Sequence, residues 1–111
     1  MPLESDKVGD VLVVQTIGQI NSANAASIEA DLTAHVGKGE RKIVLDLARL
    51  DYISSAGLRV MLLLAKTLKQ NAGTLVLCGI RPQVREVFDI SGFLAILSVT
   101  DTREQAIAKL A

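Results

Sequence analysis

Apolar positions recur along this chain in two rhythms, alternating or continuous over short runs and then three to four residues apart, and the changes of rhythm mark its elements. Val11-Leu12-Val13-Val14-Gln15-Thr16-Ile17 is a β-branched run that stops before Gly18, so a strand is predicted over 11–17. Residues 3–7 are expected to pair with it across a Gly9-Asp10 turn, giving an opening hairpin. Ala25, Ile28, Leu32 and Val36 then share one helical face, predicting a helix capped by Ser22 and ended by Gly37 and Gly39. A third strand is predicted over 42–47, through Ile43-Val44-Leu45-Asp46-Leu47, before Leu58, Met61, Leu62, Ala65 and Leu68 return to helical spacing. The period changes at Ser54-Ser55. Ser55 is thereby expected at the N-cap, its hydroxyl beside helix-start amides that lack a partner within the helix, and facing water.

After that helix, Asn71-Ala72-Gly73 supplies a stop and 74–78 reads as a fourth strand. Pro82 suits the first turn of a helix whose Val84, Val87 and Phe88 face inward, with Gly92 beyond its end. A short last strand is predicted over 95–99, and Thr102 and Gln105 stand at capping-box spacing ahead of Ala106, Ile107 and Leu110. The order β-β-α-β-α-β-α-β-α predicts an α/β fold, a mixed and mostly parallel sheet of four to five strands with about four helices. No linker, repeat or low-complexity stretch divides it, so a single domain is expected over 1–111. Around the helix that follows Ser55, Val60, Leu63 and Leu64 fall nearly opposite the core stripe. The helix bearing Val84, Val87 and Phe88 is expected to cover them; the alternative is an apolar patch for a protein partner.

Composition narrows the function classes. Half the residues are apolar but the aromatic ones are only one tyrosine and two phenylalanines, so the core must be aliphatic. Twelve basic residues balance twelve acidic ones, which removes the long-range attraction that nucleic acid or an anionic membrane requires. Residues 1–7 lack the basic start and apolar stretch of a secretory signal, and the run Val60-Met61-Leu62-Leu63-Leu64-Ala65 is far short of the ~20 residues of a membrane-spanning helix. A cytoplasmic protein without membrane insertion is expected. The single cysteine, Cys78, lies in an apolar strand and reads as a small buried hydrophobe.

Catalysis finds little support. The only histidine, His35, stands near the end of the first helix, where a cation complements the helix dipole, and nothing in the element order brings it to Ser55. One histidine and one cysteine do not make a zinc site, and neither a calcium loop nor a phosphate-cradling glycine pattern is present. No enzyme activity and no cofactor are expected. Arg81, Arg85 and Arg103 read as a solvated face. Asp46 is open to two readings, a carboxylate that orients the Ser55 loop or one that points to solvent at the sheet edge.

Four blocks, in order, resemble the STAS domain and more narrowly the bacterial anti-sigma factor antagonists. They are Gly18-Gln19-Ile20-Asn21; Val44-Leu45-Asp46-Leu47 leading into Tyr52-Ile53-Ser54-Ser55-Ala56-Gly57-Leu58; Gly73-Thr74-Leu75-Val76-Leu77-Cys78; and Val87-Phe88-Asp89-Ile90-Ser91-Gly92. The resemblance implies that an anti-sigma factor serine kinase phosphorylates the first hydroxyl residue of an Asp-Ser-Ser/Thr-Gly-Leu motif, here Ser55, and that a serine phosphatase of PP2C type removes the group. ATP and magnesium would belong to the kinase. Two departures stand out: Ser54 occupies the place of the family's aspartate and Ala56 that of its second hydroxyl residue. The implied partner surface comprises Gln19, Asn21 and Ser22 before the first helix, with Ser54, Ala56, Gly57, Leu58 and Arg59 at the start of the next one. STAS domains also serve as regulatory or structural subunits of membrane transporters, lipid transporters included, and in that alternative Ser55 would be a contact without a switch.

Overall fold

The structure, a computed structural model, describes residues 3–111. Met1 and Pro2, where the secretory-signal reading and the expected domain both begin, lie outside that range. Strand β1 (Leu3–Val8) turns at Gly9-Asp10 into β2 (Val11–Ile20), and the chain continues through α1 (Ala25–Gly37), β3 (Lys42–Ile53), α2 (Ser55–Gln70), β4 (Thr74–Cys78), α3 (Pro82–Ser91), a 3-10 turn (Phe93–Ala95), β5 (Ser98–Thr100) and α4 (Arg103–Leu110). The five strands lie in the sheet in chain order. β1 is antiparallel to β2 and every later neighbour pair is parallel. The predicted element order is therefore the observed one, with the 3-10 turn added.

Each parallel connection carries a helix across the sheet, and right-handed crossovers put α1, α2 and α3 on one face. Ile28 and Leu32 of α1, Met61 and Leu64 of α2 and Phe88 of α3 meet Leu45, Leu47 and Leu50 of β3 there. α4 covers part of the opposite face, where Ala106 and Leu110 pack on Val11, Val13, Val44, Val76 and Cys78. Its capping box forms as the sequence predicts, Thr102 Oγ1 accepting from the Gln105 amide at 3.1 Å.

The structure departs from the sequence reading at particular places. β3 does not stop at Leu47 but runs on to Ile53, because it bulges twice against β2, between Asp46 and Arg49 and again between Leu50 and Tyr52. Each bulge inserts a residue and resets which side chains face the core. Leu47, Leu50 and Ile53, three apart, consequently all point inward, a spacing that alternation does not reveal. The last strand is 98–100 rather than 95–99, since Gly92, at φ 74°, ends α3 and the chain coils through the 3-10 turn before β5 pairs with β4. Val60 and Leu64 are buried, but the helix packed along α2 is α1 rather than α3, which lies on β3. Of the three residues opposite the core stripe only Leu63 stays open, at 39% exposure, and Leu62 is half-buried.

Candidate functional site

The ends of β2 and β3 lie side by side and the head of α2 is built directly on them. Ile20 pairs with Ile53, and the Ser54 amide donates to the Ile20 carbonyl at 2.8 Å, so the two chain exits are tied together. Ser54 keeps an extended backbone (φ −87°, ψ 172°) and its Oγ accepts from the Gly57 amide at 3.2 Å. Ser54, not Ser55, is thus the N-cap. Ser55 is already helical and is exposed, and the helix start does not need its hydroxyl. The family's aspartate finds its physical counterpart here, because serine and aspartate cap helices about equally well.

Gly57 lets this helix start come so close. A Cβ there would lie 2.7 Å from both Ile20 Cγ2 and Ile53 Cγ1, inside any normal contact. Gly57 and Leu58 are buried beneath the surface they support, while Arg59 is exposed beside Ala56. A cleft of about 200 Å³ runs between this turn and α1, lined by Ala25, Ala26, Glu29, Ala56, Arg59 and Val60.

The loop before α1 completes the surface. Ser22 does not cap that helix: Asn24 stands at the N-cap position without a side-chain cap bond, and α1 begins at Ala25. The turn is held instead by two asparagines. Asn21 Oδ1 accepts from the amides of Ala23 (2.9 Å) and Asn24 (3.1 Å), and Asn24 returns the arrangement by accepting from the Asn21 amide at 2.8 Å and donating Nδ2 to the Gln19 carbonyl at 2.9 Å. This asparagine lock displaces Ser22 outward and leaves it exposed, with Gln19, next to the Ser54 exit. Sequence reading missed Asn24, although Asn at three-residue spacing from Asn21 is the signal that a reciprocal turn leaves.

Other chemically suggestive residues lie elsewhere. Asp46 is 6% exposed and sits on the α4 face of the sheet, where Oδ2 accepts from Arg103 Nε at 2.8 Å and Oδ1 from the Ala48 amide at 3.0 Å. It neither orients the Ser55 loop nor points to solvent; it clamps α4. Arg81 pairs with Asp51, so the three arginines do not converge. Burial, reinforced by the negative charge of Asp46, pushes the Cys78 thiol up to about 12. His35 is half-buried in the last turn of α1, in a hollow facing β1 with Asp31 and Lys38, about 15 Å along the helix from the end near Ser55. Among the described residues no group of His, Cys, Asp and Glu is placed to hold a metal ion, and no helix is long and apolar enough to cross a membrane.

A doubly bulged β3 thus delivers a capped helix start beside the β2 exit, in a sheet with α1, α2 and α3 on one face and α4 on the other. The chain belongs to the STAS domain family, whose model matches residues 3–106, every element but the end of α4. Within the family the likeness is to anti-sigma factor antagonists. BtrV of Bordetella bronchiseptica (strain RB50), a candidate anti-sigma factor antagonist, is 59% identical over 108 residues, covering 97% of this chain and 93% of the relative. Among solved structures, an anti-sigma factor antagonist candidate from Thermotoga maritima superposes with a TM-score of 0.92 at 23% identity, over 97% of this chain and 93% of its own. The Bacillus cell fate determinant SpoIIAA in its phosphorylated form does so with a TM-score of 0.75 at 23% identity, over 98% and 99%. At that identity the two structures speak for the fold.

Proposed function

We propose that this chain, acting as one STAS domain over 1–111, is a cytoplasmic anti-sigma factor antagonist that works by partner switching. Unphosphorylated, it binds an anti-sigma factor with serine kinase activity and frees the regulator which that factor holds. Phosphorylated on Ser55, it releases the kinase, and a PP2C-type serine phosphatase restores the binding form. The chain performs no catalysis; ATP and magnesium are the kinase's.

The observation that carries this reading is the division of labour between the two serines. Ser54 caps α2, so Ser55 stands exposed at the first helical position, free to be modified without dismantling the helix. A phosphate brings roughly −2 charge, which the amide-rich, positive end of a helix tolerates well. The fold is thereby preserved and the effect falls on association. A partner surface that accepts a small neutral hydroxyl now has to desolvate a hydrated dianion, a cost on the order of a few kcal/mol, and each ~1.4 kcal/mol weakens binding about tenfold. Gln19, Asn21, Ser22, Ala56 and Arg59 lie around Ser55 at the same end of the sheet and supply the rest of the contact, with Ser54, Gly57 and Leu58 holding it from beneath.

Peptide mass spectrometry on the protein purified from its own cells tests the switch. A phosphate on the Ser55 peptide that disappears in Ser55→Ala and persists in Ser54→Ala is the expected result. An unmodified Ser55 across growth conditions would overturn it and point to a constitutive subunit, of a membrane transporter for example.

A further inference from the structure

The far half of α2 carries a groove that the Ser55 surface does not use. Leu62 and Ala65 form one wall, Ile96 and Leu97 of the stretch before β5 form the other, and Lys66 and Lys69 stand on the rim of a hollow of about 360 Å³. It continues past Lys69 into a second hollow of about 290 Å³ beside Gly73, Thr74 and Ser98. Among the described residues no carboxylate lines either one. Ile96 is 69% exposed at this edge, an aliphatic side chain that the core does not use.

We propose that this groove docks a short acidic amphipathic helix of a protein partner. The apolar walls from Leu62 to Lys69 extend for about two helical turns, enough to seat two aliphatic anchors of an inserted helix. Lys66 and Lys69 are three residues apart, about 4.5 Å along the axis, which matches carboxylates at i and i+3 or i+4 on the inserted helix. The chain as a whole carries no net charge, so this pair of ammonium groups, without an acidic neighbour in the groove, decides the sign of the partner locally. Lys66 lies about 16 Å along α2 from Ser55 and Lys69 about 21 Å, so the two surfaces can be occupied together. The groove owes nothing to modification at Ser55 and stands or falls apart from it.

The test is a titration of the isotope-labelled full chain, followed by amide NMR shifts, with a synthetic three-turn peptide bearing leucines on one face and glutamates along both flanks. The same peptide with lysines in place of the glutamates, and anionic phospholipid vesicles, serve as comparison probes. The glutamate peptide is expected to shift amides over 62–69 and 96–98, saturating with a Kd below about 1 mM, and to leave 54–59 unmoved. Lys66→Glu with Lys69→Glu should weaken it by about tenfold or more and favour the lysine peptide. Ile96→Ser, at an exposed position, should weaken it with an unchanged unfolding midpoint. Shifts that fail to saturate at the groove, equal binding of the two peptides, or vesicles that engage these residues while the peptide does not, each overturn the proposal.

Discussion

Replacing the two adjacent serines at the head of α2 one at a time separates the cap from the switch. In Ser54→Ala the Gly57 amide, in a buried turn against Ile20 and Ile53, loses the Oγ acceptor that stands 3.2 Å away. Loss of a serine cap costs about 1 kcal/mol, within a range of roughly 0.5–2, and the burial of this turn places the expectation in the upper half. With an unfolding entropy of about 2.1 cal/mol/K per residue, the 111-residue chain changes its midpoint by about 4 °C for each kcal/mol. Ser54→Ala is therefore expected to melt about 5–8 °C lower, and Ser54→Asp, which caps equally well, close to wild type. Ser55→Ala removes an exposed hydroxyl from the first helical position and exchanges serine for a better helix former, so its stability should stay within about 0.5 kcal/mol of wild type. Thermal and urea unfolding followed by far-ultraviolet circular dichroism measures all three. A Ser55→Ala variant that loses as much as Ser54→Ala, or a Ser54→Asp variant that recovers nothing, refutes the cap assignment. The expected result also means that a change of partner binding in Ser55→Ala cannot be put down to a damaged helix.

Two further outcomes are expected. Gly57→Ala should destabilise by about 1–2 kcal/mol in urea unfolding, because overpacking against Ile20 and Ile53 outweighs the helix propensity gained; a stabilised variant would show that the close approach is not there. The Cys78 thiol, pushed from 9.0 up to about 12, keeps its proton in the folded chain after the unfolded chain has released it. Its contribution to stability is whole below pH 9 and is lost as pH rises toward 12, at up to about 1.4 kcal/mol per pH unit, so Cys78→Ala should show a shallower alkaline decline than wild type in urea midpoints, and parallel profiles would contradict the argument.

Where a single period ran unbroken, the chain was readable: Ala25, Ile28, Leu32 and Val36 define the inner face of α1, and the Thr102-Gln105 box starts α4 where its spacing says. The second half of β3 was not, because its inward residues follow bulges set by pairing with β2, and bulges leave no alternation to read. Two neighbouring serines are equally able to cap, and only the backbone that the β3 exit imposes on Ser54 chooses between them. Asp46 was ambiguous for a different reason: its partner, Arg103, is 57 residues away in sequence and comes to it only through the packing of α4. At the site, Ser55 was marked by family likeness and a change of period, whereas the lock of Asn21 with Asn24 is a local hydrogen-bond pattern hidden behind the better-known capping preference of Ser22.

The exposed edge of β1 bears on how these molecules behave in a crowded solution. Two copies joined edge to edge about a dyad would set their β1 strands antiparallel, with residues from the same side of the sheet opposite one another. Across Leu3–Val8, every such register that pairs three or more residues brings like charges face to face: Glu4 against Asp6, Asp6 against Asp6, Glu4 against Glu4, or Lys7 against Lys7. Like charges directly opposite disfavour the pairing, and at the other edge β5 offers only Ser98–Thr100 as a template. The uncovered β1 edge is thus biased against pairing with its own copy by the charges it carries and not by any element laid over it.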